Sequence, residues 1–186
     1  METTKLQHFF DCCLGHWDIE RTYHYLTRQE VERSHTKFEV KPLTPELQTK
    51  VLADNHYDVS DRDGVLSGFQ LAFHTVSDKG EEVAQSLNAL FIPKKQEGDT
   101  LEGDYLRDRA YEEARPIVSH FRFDPAMSEL LMTTAYTQVV SVDSITLVNP
   151  NLRIRKIINY HRPPEGEPLS KVRLVGFGVE QKVSTP

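Results

Sequence analysis

Apolar and polar residues alternate along most of this chain, and turn-forming residues interrupt the alternation at short intervals. Segments 16–27, 31–40, 64–76, 81–93, 116–124, 127–136, 138–148, 152–161 and 171–183 are rich in β-branched and aromatic residues and read as strands. Between them stand Arg62-Asp63-Gly64, Asp78-Lys79-Gly80, Glu97-Gly98-Asp99, Asp124-Pro125, Asn149-Pro150-Asn151 and Pro163-Pro164-Glu165-Gly166, each with turn chemistry. About nine or ten strands joined by short turns, with no long helix between them, predict antiparallel pairing. Such a set must close into a barrel or split into a sandwich to hide its edges.

Two segments depart from the two-residue period. Leu6, Phe9, Phe10 and Cys13 recur at helical spacing, predicting a helix over about 4–14; Thr4-Lys5-Leu6-Gln7 has the form of a capping box and Gly15 is a stop. Thr44-Pro45-Glu46 opens a second, short helix that ends by Asn55. The first helix favours a barrel, because its apolar face needs a surface to cover and an open barrel end supplies one. Gly15-His16-Trp17 adds the Gly-x-Trp arrangement of lipocalins at the start of the first strand. The expected fold is therefore all-β, a lipocalin-like (calycin, or fatty-acid-binding-protein-like) antiparallel barrel of about ten strands over about 16–183. With its N-terminal helix it would form a single domain of 186 residues.

Composition narrows the function classes. Mean hydropathy is -0.50, and no apolar run approaches the roughly 18 residues that span a bilayer. The net charge of -6 argues against nucleic acid or an anionic membrane as the main partner. Met1-Glu2-Thr3-Thr4 lacks the basic and apolar stretches of a secretory leader, so the cytosol or an organelle stroma is the expected compartment. Cys12 and Cys13 are adjacent, cannot staple distant segments and read as ordinary helix residues. The chain has no glycine-rich phosphate loop, His-Glu-x-x-His, Cys-x-x-Cys or Gly-x-Ser-x-Gly, and its eight histidines are scattered, so neither a metal site nor a hydrolase is expected.

Candidate chemistry comes from charges that the strand period directs inward. Along the first strand Trp17, Ile19, Arg21, Tyr23 and Tyr25 share an apolar, inward face, so Arg21 needs a carboxylate, a ligand anion or an aromatic face such as Trp17. Arg153 and Arg155 share a face of one strand, suited to gripping carboxylates, although paired arginines on an exposed strand face are common and spacing alone favours that reading. Asp143 lies across the Asn149-Pro150 turn, where hairpin pairing brings it towards those arginines as an ion-pair partner or proton donor. In the last strand Leu174, Gly176, Gly178 and Glu180 share a face; the glycines leave space for a bulky group or mark a bend, and Glu180 beside them is a candidate acid.

Several segments together resemble the S-type phycobiliprotein chromophore lyases. These are Phe9-Phe10 with Gly15-His16-Trp17 and Glu20-Arg21-Thr22; Ser34-His35-Thr36 with Val40-Lys41-Pro42-Leu43; the stretch 106–116; and Asn149-Pro150-Asn151-Leu152-Arg153-Ile154-Arg155. The resemblance covers nearly the whole chain. It implies a ten-stranded lipocalin-like barrel that captures a phycobilin, such as phycocyanobilin or a related linear tetrapyrrole, as substrate rather than prosthetic group. The pigment would pass to a cysteine of an apo-phycobiliprotein subunit (phycocyanin, allophycocyanin or phycoerythrin) as a thioether at the ethylidene of ring A.

By the same resemblance Arg153 is the arginine for a bilin propionate and Arg155 its companion. Asp143 stands where the family has glutamate, to hydrogen-bond or protonate pyrrole nitrogens, and Glu180 is a late acid for the addition. Trp17 and Arg21 belong to pocket floor and ligand contact. The chain departs from the family in its middle strands, where Phe69-Gln70-Leu71-Ala72-Phe73 replaces tryptophans, and after Asp143, where Thr146 or Leu147 replaces an aromatic. Three readings compete: a lyase, acting alone, as a homodimer or beside a paralogous subunit; a bilin carrier or silent partner subunit without chemistry; and a fatty-acid carrier, which needs only one carboxylate site.

Overall fold

The structure, a computed structural model, describes residues 2–58, 67–108 and 115–184. The Arg62-Asp63-Gly64 turn and residues 109–114 of the 106–116 stretch lie outside the described residues. Among the described residues, helix α1 (Glu2–Cys13) precedes β1 (Gly15–Tyr25) and β2 (Glu30–Pro42), and helix α2 (Pro45–Asp54) precedes β3 (Ser67–Ser77). Then follow β4 (Glu82–Glu97), β5 (Thr100–Arg107), β6 (Ser119–Asp124), β7 (Glu129–Ala135), β8 (Val139–Asn149), β9 (Leu152–His161) and β10 (Val172–Val183). Each strand pairs antiparallel with its neighbours in sequence and β10 closes on β1, giving the expected ten-stranded barrel with its sheet closed on itself.

Strand β5 was not among the predicted segments. Glu102-Gly103-Asp104 interrupts its apolar pattern, yet Leu101, Tyr105 and Leu106 are buried. Gly103 is required there: a Cβ would lie 2.1 Å from the Ile92 carbonyl oxygen, beside the register shift between Pro93 and Lys95. Gly103→Ala is therefore expected to force the β4–β5 pair apart and cost about 3 kcal/mol in urea unfolding; a loss below about 0.5 kcal/mol would show that the pair yields freely.

Helix α2 begins as expected, with the Leu47 amide donating to Thr44 Oγ1 at 3.4 Å and proline in the first turn. Its Val51 packs with Leu43, Leu90, Ile92 and Leu106 on the outer face of β4 and β5. Residues 89–92 are consequently buried on both faces of the sheet, which explains why this stretch is continuously apolar.

Helix α1 closes one barrel end. It starts at Glu2, so Thr4 lies inside it and no Thr4–Gln7 capping box forms; Gln7 instead accepts from Ser67 Oγ and donates to Asp11, both at 2.8 Å. Gly15 ends it with φ 114°. Trp17 Nε1 donates to the Cys13 carbonyl at 2.9 Å and Lys182 Nζ to that of Cys12 at 2.8 Å, satisfying carbonyls that a helix end leaves bare. The apolar stripe of α1 plugs the barrel: Phe10 meets Phe69 and Phe91 at centroid distances of 4.6 and 5.0 Å, and Phe9 meets Phe123 at 5.3 Å. Among the described residues nothing comparable fills the opposite end, where the β1–β2, β3–β4, β7–β8 and β9–β10 connections gather.

Candidate functional site: a cationic cavity in the barrel

A cavity of ≈ 360 Å³ runs inside the barrel from Cys13 at the helix-covered end to Tyr25, Asn159 and Leu174 at the other. This is within the roughly 300–1,000 Å³ range of small-molecule sites. Strand alternation builds its wall, with Phe38, Phe69, Leu71, Phe73 and Phe91 on one side and Arg21, Asp143, Arg153 and Arg155 on the other. The stretch that departs from the family's tryptophans thus supplies apolar lining through Phe69, Leu71 and Phe73.

The charged side is one connected cluster, and register explains it. Glu180 on β10 pairs with Arg153 on β9 and with Ile19 on β1, while Gly178 pairs with Arg155 and Arg21. Glu180 accepts from Arg153 Nε and, at 3.0 Å, from Arg155 Nε; Arg21 Nη2 approaches its Oε1 at 3.8 Å. Arg155 Nη1 reaches Asp143 Oδ2 at 3.3 Å across the β8–β9 hairpin, as the sequence spacing anticipates. The alternative of an exposed Arg153–Arg155 pair is overturned: the side chains are 2% and 14% accessible.

Trp17, expected at the pocket floor, is buried beneath this cluster and is not among the cavity-lining residues. Its face is covered by Arg153, whose guanidinium carbon lies 4.0 Å from the ring centroid, so Arg153 and not Arg21 takes the cation–π position. Arg21 follows the other expectation and pairs inside the barrel. The space over the two glycines is also assigned. A Cβ on Gly176 would meet the Tyr23 ring at 2.8 Å, and one on Gly178 would meet Arg21 Cγ at 3.2 Å, so both clearings seat the protein's own β1 side chains.

The electrostatics divide the two acids. Burial raises the proton affinity of Glu180, but Arg155, Arg153 and Arg21 outweigh it and hold this carboxyl below its ordinary range. Glu180 also lies behind the arginines rather than among the cavity-lining residues. Asp143 does line the cavity, and there burial prevails over the attraction of Arg155 and Arg21, so its pKa is raised. Burial disfavours the Arg155 charge, yet Asp143 and Glu180 more than compensate and keep it protonated.

Three guanidinium groups therefore face two carboxylates, one of which resists ionisation. Among the described residues, Arg153 Nη2, Arg21 Nε and Asp143 Oδ1 are buried without a protein hydrogen-bond partner, an arrangement that suits a polar, acidic ligand. Among the described residues no group of three or more His, Cys, Asp or Glu could hold a metal, and no helix is long and apolar enough to cross a membrane.

Sequence reasoning passed over the far wall. Tyr105 and Arg107 of β5 line the cavity with Tyr136, which follows β7. The usable signal was the parity of Leu101, Tyr105 and Arg107, which places all three on one face once β5 is taken as a strand.

Fold and site together define a calycin-type barrel whose cavity is lined by aromatic and aliphatic side chains on one side and by arginines on the other. The chain belongs to the CpcS/CpeS family of chromophore lyases: residues 5–183 match the family model described as "CpeS-like protein". It is 63% identical, over 97% of both chains, to chromophore lyase CpcS/CpeS 1 of Synechococcus sp. (strain JA-3-3Ab). It is 24% identical, over 82% of both, to chromophore lyase CpcS/CpeS of Thermosynechococcus vestitus. The solved S-type phycobiliprotein lyase CPES from Guillardia theta shares the fold at a TM-score of 0.73, with 15% identity and coverage of 100% of this chain and 99% of that one.

Proposed function

We propose that the cavity binds a phycobilin, phycocyanobilin being the probe of choice, and presents its ring A ethylidene at the barrel end away from α1 to a cysteine of a phycobiliprotein subunit. The apolar wall of Phe38, Phe69, Leu71 and Phe73 takes the pyrrole rings. Arg155, with Arg21 beside it and Arg153 beneath, takes a propionate. Asp143 donates a proton to the tetrapyrrole, while Glu180 serves as the counter-charge that aligns the arginines. The supporting observation is the cluster itself: three arginines and a hard-to-ionise aspartate on the wall of a cavity that α1 plugs at one end.

The reaction is a net addition and needs no oxidant. The thiol sulfur bonds to the ethylidene carbon, the C=C pair becomes a C–H bond, and the thiol proton is returned through the acid. Catalysis lies mainly in holding one conformer of a flexible pigment against the incoming thiol. The acceptor is a subunit of phycocyanin, allophycocyanin or phycoerythrin, and the reaction belongs in the cyanobacterial cytosol or a plastid stroma.

Mixing the chain with phycocyanobilin and an apo-phycocyanin subunit is expected to give pigment that stays with the subunit in acid urea and has native-like absorbance. Arg155→Ala is expected to reduce the yield at limiting pigment by about tenfold or more. Pigment binding without transfer would mark a carrier or a partner subunit, and preference for palmitate over the bilin would mark a fatty-acid carrier.

A further inference from the structure

The inward positions of β9 run Arg153, Arg155, Ile157 and Asn159, and all four line the cavity. The strand starts beside Lys182, which is tied to α1, and leads away from the helix. At about 3.3 Å per residue, Asn159 therefore stands about 13 Å beyond Arg155, close to the far end of the barrel. It also lines a second cavity of ≈ 330 Å³ with Tyr25, Thr27, Arg28 and Arg173, which places it at the mouth. Its neighbour β10 shifts register between Val172 and Leu174, directly beside it, a bulge of the kind that accompanies binding sites. There the Asn159 Oδ1 atom is buried without a protein hydrogen-bond partner, an acceptor whose desolvation a ligand donor would offset.

Register extends this position into a neutral polar row. Asn159 pairs with Ser141 on β8, Ser141 pairs with Thr134 on β7, and all three line the cavity. Thr134 Oγ1 already bonds Ser119 Oγ at 2.9 Å. The next inward row towards α1 holds Asp143, paired with Ile157, and the row after it holds Arg155. From the helix to the mouth, this wall thus passes from cations through an acid to a carboxamide and a hydroxyl.

We infer that Asn159, with Ser141 beside it, is a subsite for a terminal lactam ring of the ligand, ring A in the orientation proposed above. This rests on the reading of the cavity as a bilin site and adds a group that positions the reacting ring. A five-membered lactam presents its N–H and C=O on one edge, and a carboxamide presents the complementary pair in one plane. Asn159 Oδ1 accepts from the lactam N–H while its Nδ2 donates to the lactam carbonyl. The ethylidene is carried by the same rigid ring, so holding the lactam edge holds the reacting carbon at the mouth, while Arg155 holds a propionate deeper in the barrel.

The test is to titrate the protein, and its Asn159→Leu, Asn159→Gln and Ser141→Ala variants, with phycocyanobilin and with its lactim methyl ether, following the pigment's absorbance. In the ether the terminal carbonyl oxygens are methylated and the adjoining N–H groups are lost. The wild type is expected to prefer the lactam about tenfold, and Asn159→Leu to bind the two pigments within about twofold of each other. Asn159→Gln would recover part of the preference, and Ser141→Ala would lose less of it than Asn159→Leu. Arg155→Ala would weaken both pigments alike and keep the preference. Covalent transfer from Asn159→Leu protein preloaded with phycocyanobilin is expected to be about tenfold slower than from wild type.

Equal weakening of lactam and lactim ether in Asn159→Leu would assign the residue a packing role and overturn the inference, as would unchanged binding of both. A lost preference with transfer within about twofold of wild type would seat a different ring at Asn159 and overturn the assignment to ring A. In each case, phycocyanobilin binding that Arg155→Ala still weakens would leave the bilin reading standing. Failure of the wild type to bind phycocyanobilin at all would overturn that reading and the inference together.

Discussion

Glu180→Ala is expected to destabilise the barrel by about 3–5 kcal/mol, because it strands Arg153, Arg155 and Arg21 around a carboxylate site that is itself fully buried. For a chain of this length that corresponds to a fall in Tm of roughly 10 °C. Glu180→Gln, which keeps one acceptor oxygen without the charge, should fall between wild type and alanine. The pH dependence is a second signature. Folding lowers the pKa of Glu180, so its stabilisation is complete above its ordinary value of 4.5 and disappears as pH falls through its lower folded value.

Asp143 runs the other way. Its folded pKa is raised, so the fold favours its neutral form, and that contribution weakens as pH rises above the ordinary 3.8. The gap in stability between wild type and Glu180→Ala should accordingly be widest near neutrality and narrow in strong acid. Urea unfolding at several pH values measures it. A gap under about 1 kcal/mol at pH 7 would mean that the arginines find other partners and that Glu180 is not their organising charge.

Asp143→Asn is expected to separate binding from chemistry. The amide keeps the size and much of the hydrogen bonding of the acid, so phycocyanobilin should bind within about threefold of wild type, while covalent transfer to the apo-subunit should slow about a hundredfold. The wild-type rate should also fall as pH rises through the elevated pKa of Asp143, and that limb should vanish in the variant. Single-turnover transfer from preloaded protein reports this step directly. If the Asp143→Asn variant transfers pigment within about threefold of the wild-type rate, Asp143 is not the proton donor and orientation is left as the source of catalysis.

The two acids illustrate how much of the site was legible. Strand parity put Arg153 with Arg155, and Gly178 with Glu180, on shared faces without deciding which faces point inward, and the Asn149-Pro150 turn placed Asp143 opposite the arginines. What parity cannot rank is depth. Asp143 reaches the cavity surface, whereas Glu180 is covered by the three guanidinium groups it holds, so two carboxyls that look alike in sequence acquire opposite pKa shifts. Trp17 was likewise expected near the floor, but its cationic partners, Arg153 and Lys182, come from β9 and β10, not from its own strand.

The same distinction separates β5 from the other strands. Nine strands announced themselves because an amphipathic strand with one face in solvent must alternate, and alternation survives as a pattern in the chain. In β5 the outward Leu106 is covered by α2 and Gly103 answers a backbone contact from β4, so its pattern is set by partners that the local sequence does not contain. Local periodicity and turn chemistry determined nine of the ten strands, the antiparallel meander, the plugging helix and the inward face of Arg21, because these depend on neighbours within a few residues. Barrel closure decided the rest: that β5 joins the sheet, that Arg153 and Arg155 are buried, which arginine covers Trp17, and which acid is held below its ordinary pKa range. Those outcomes depend on distances between strands remote in sequence and on the desolvation that only a closed interior imposes.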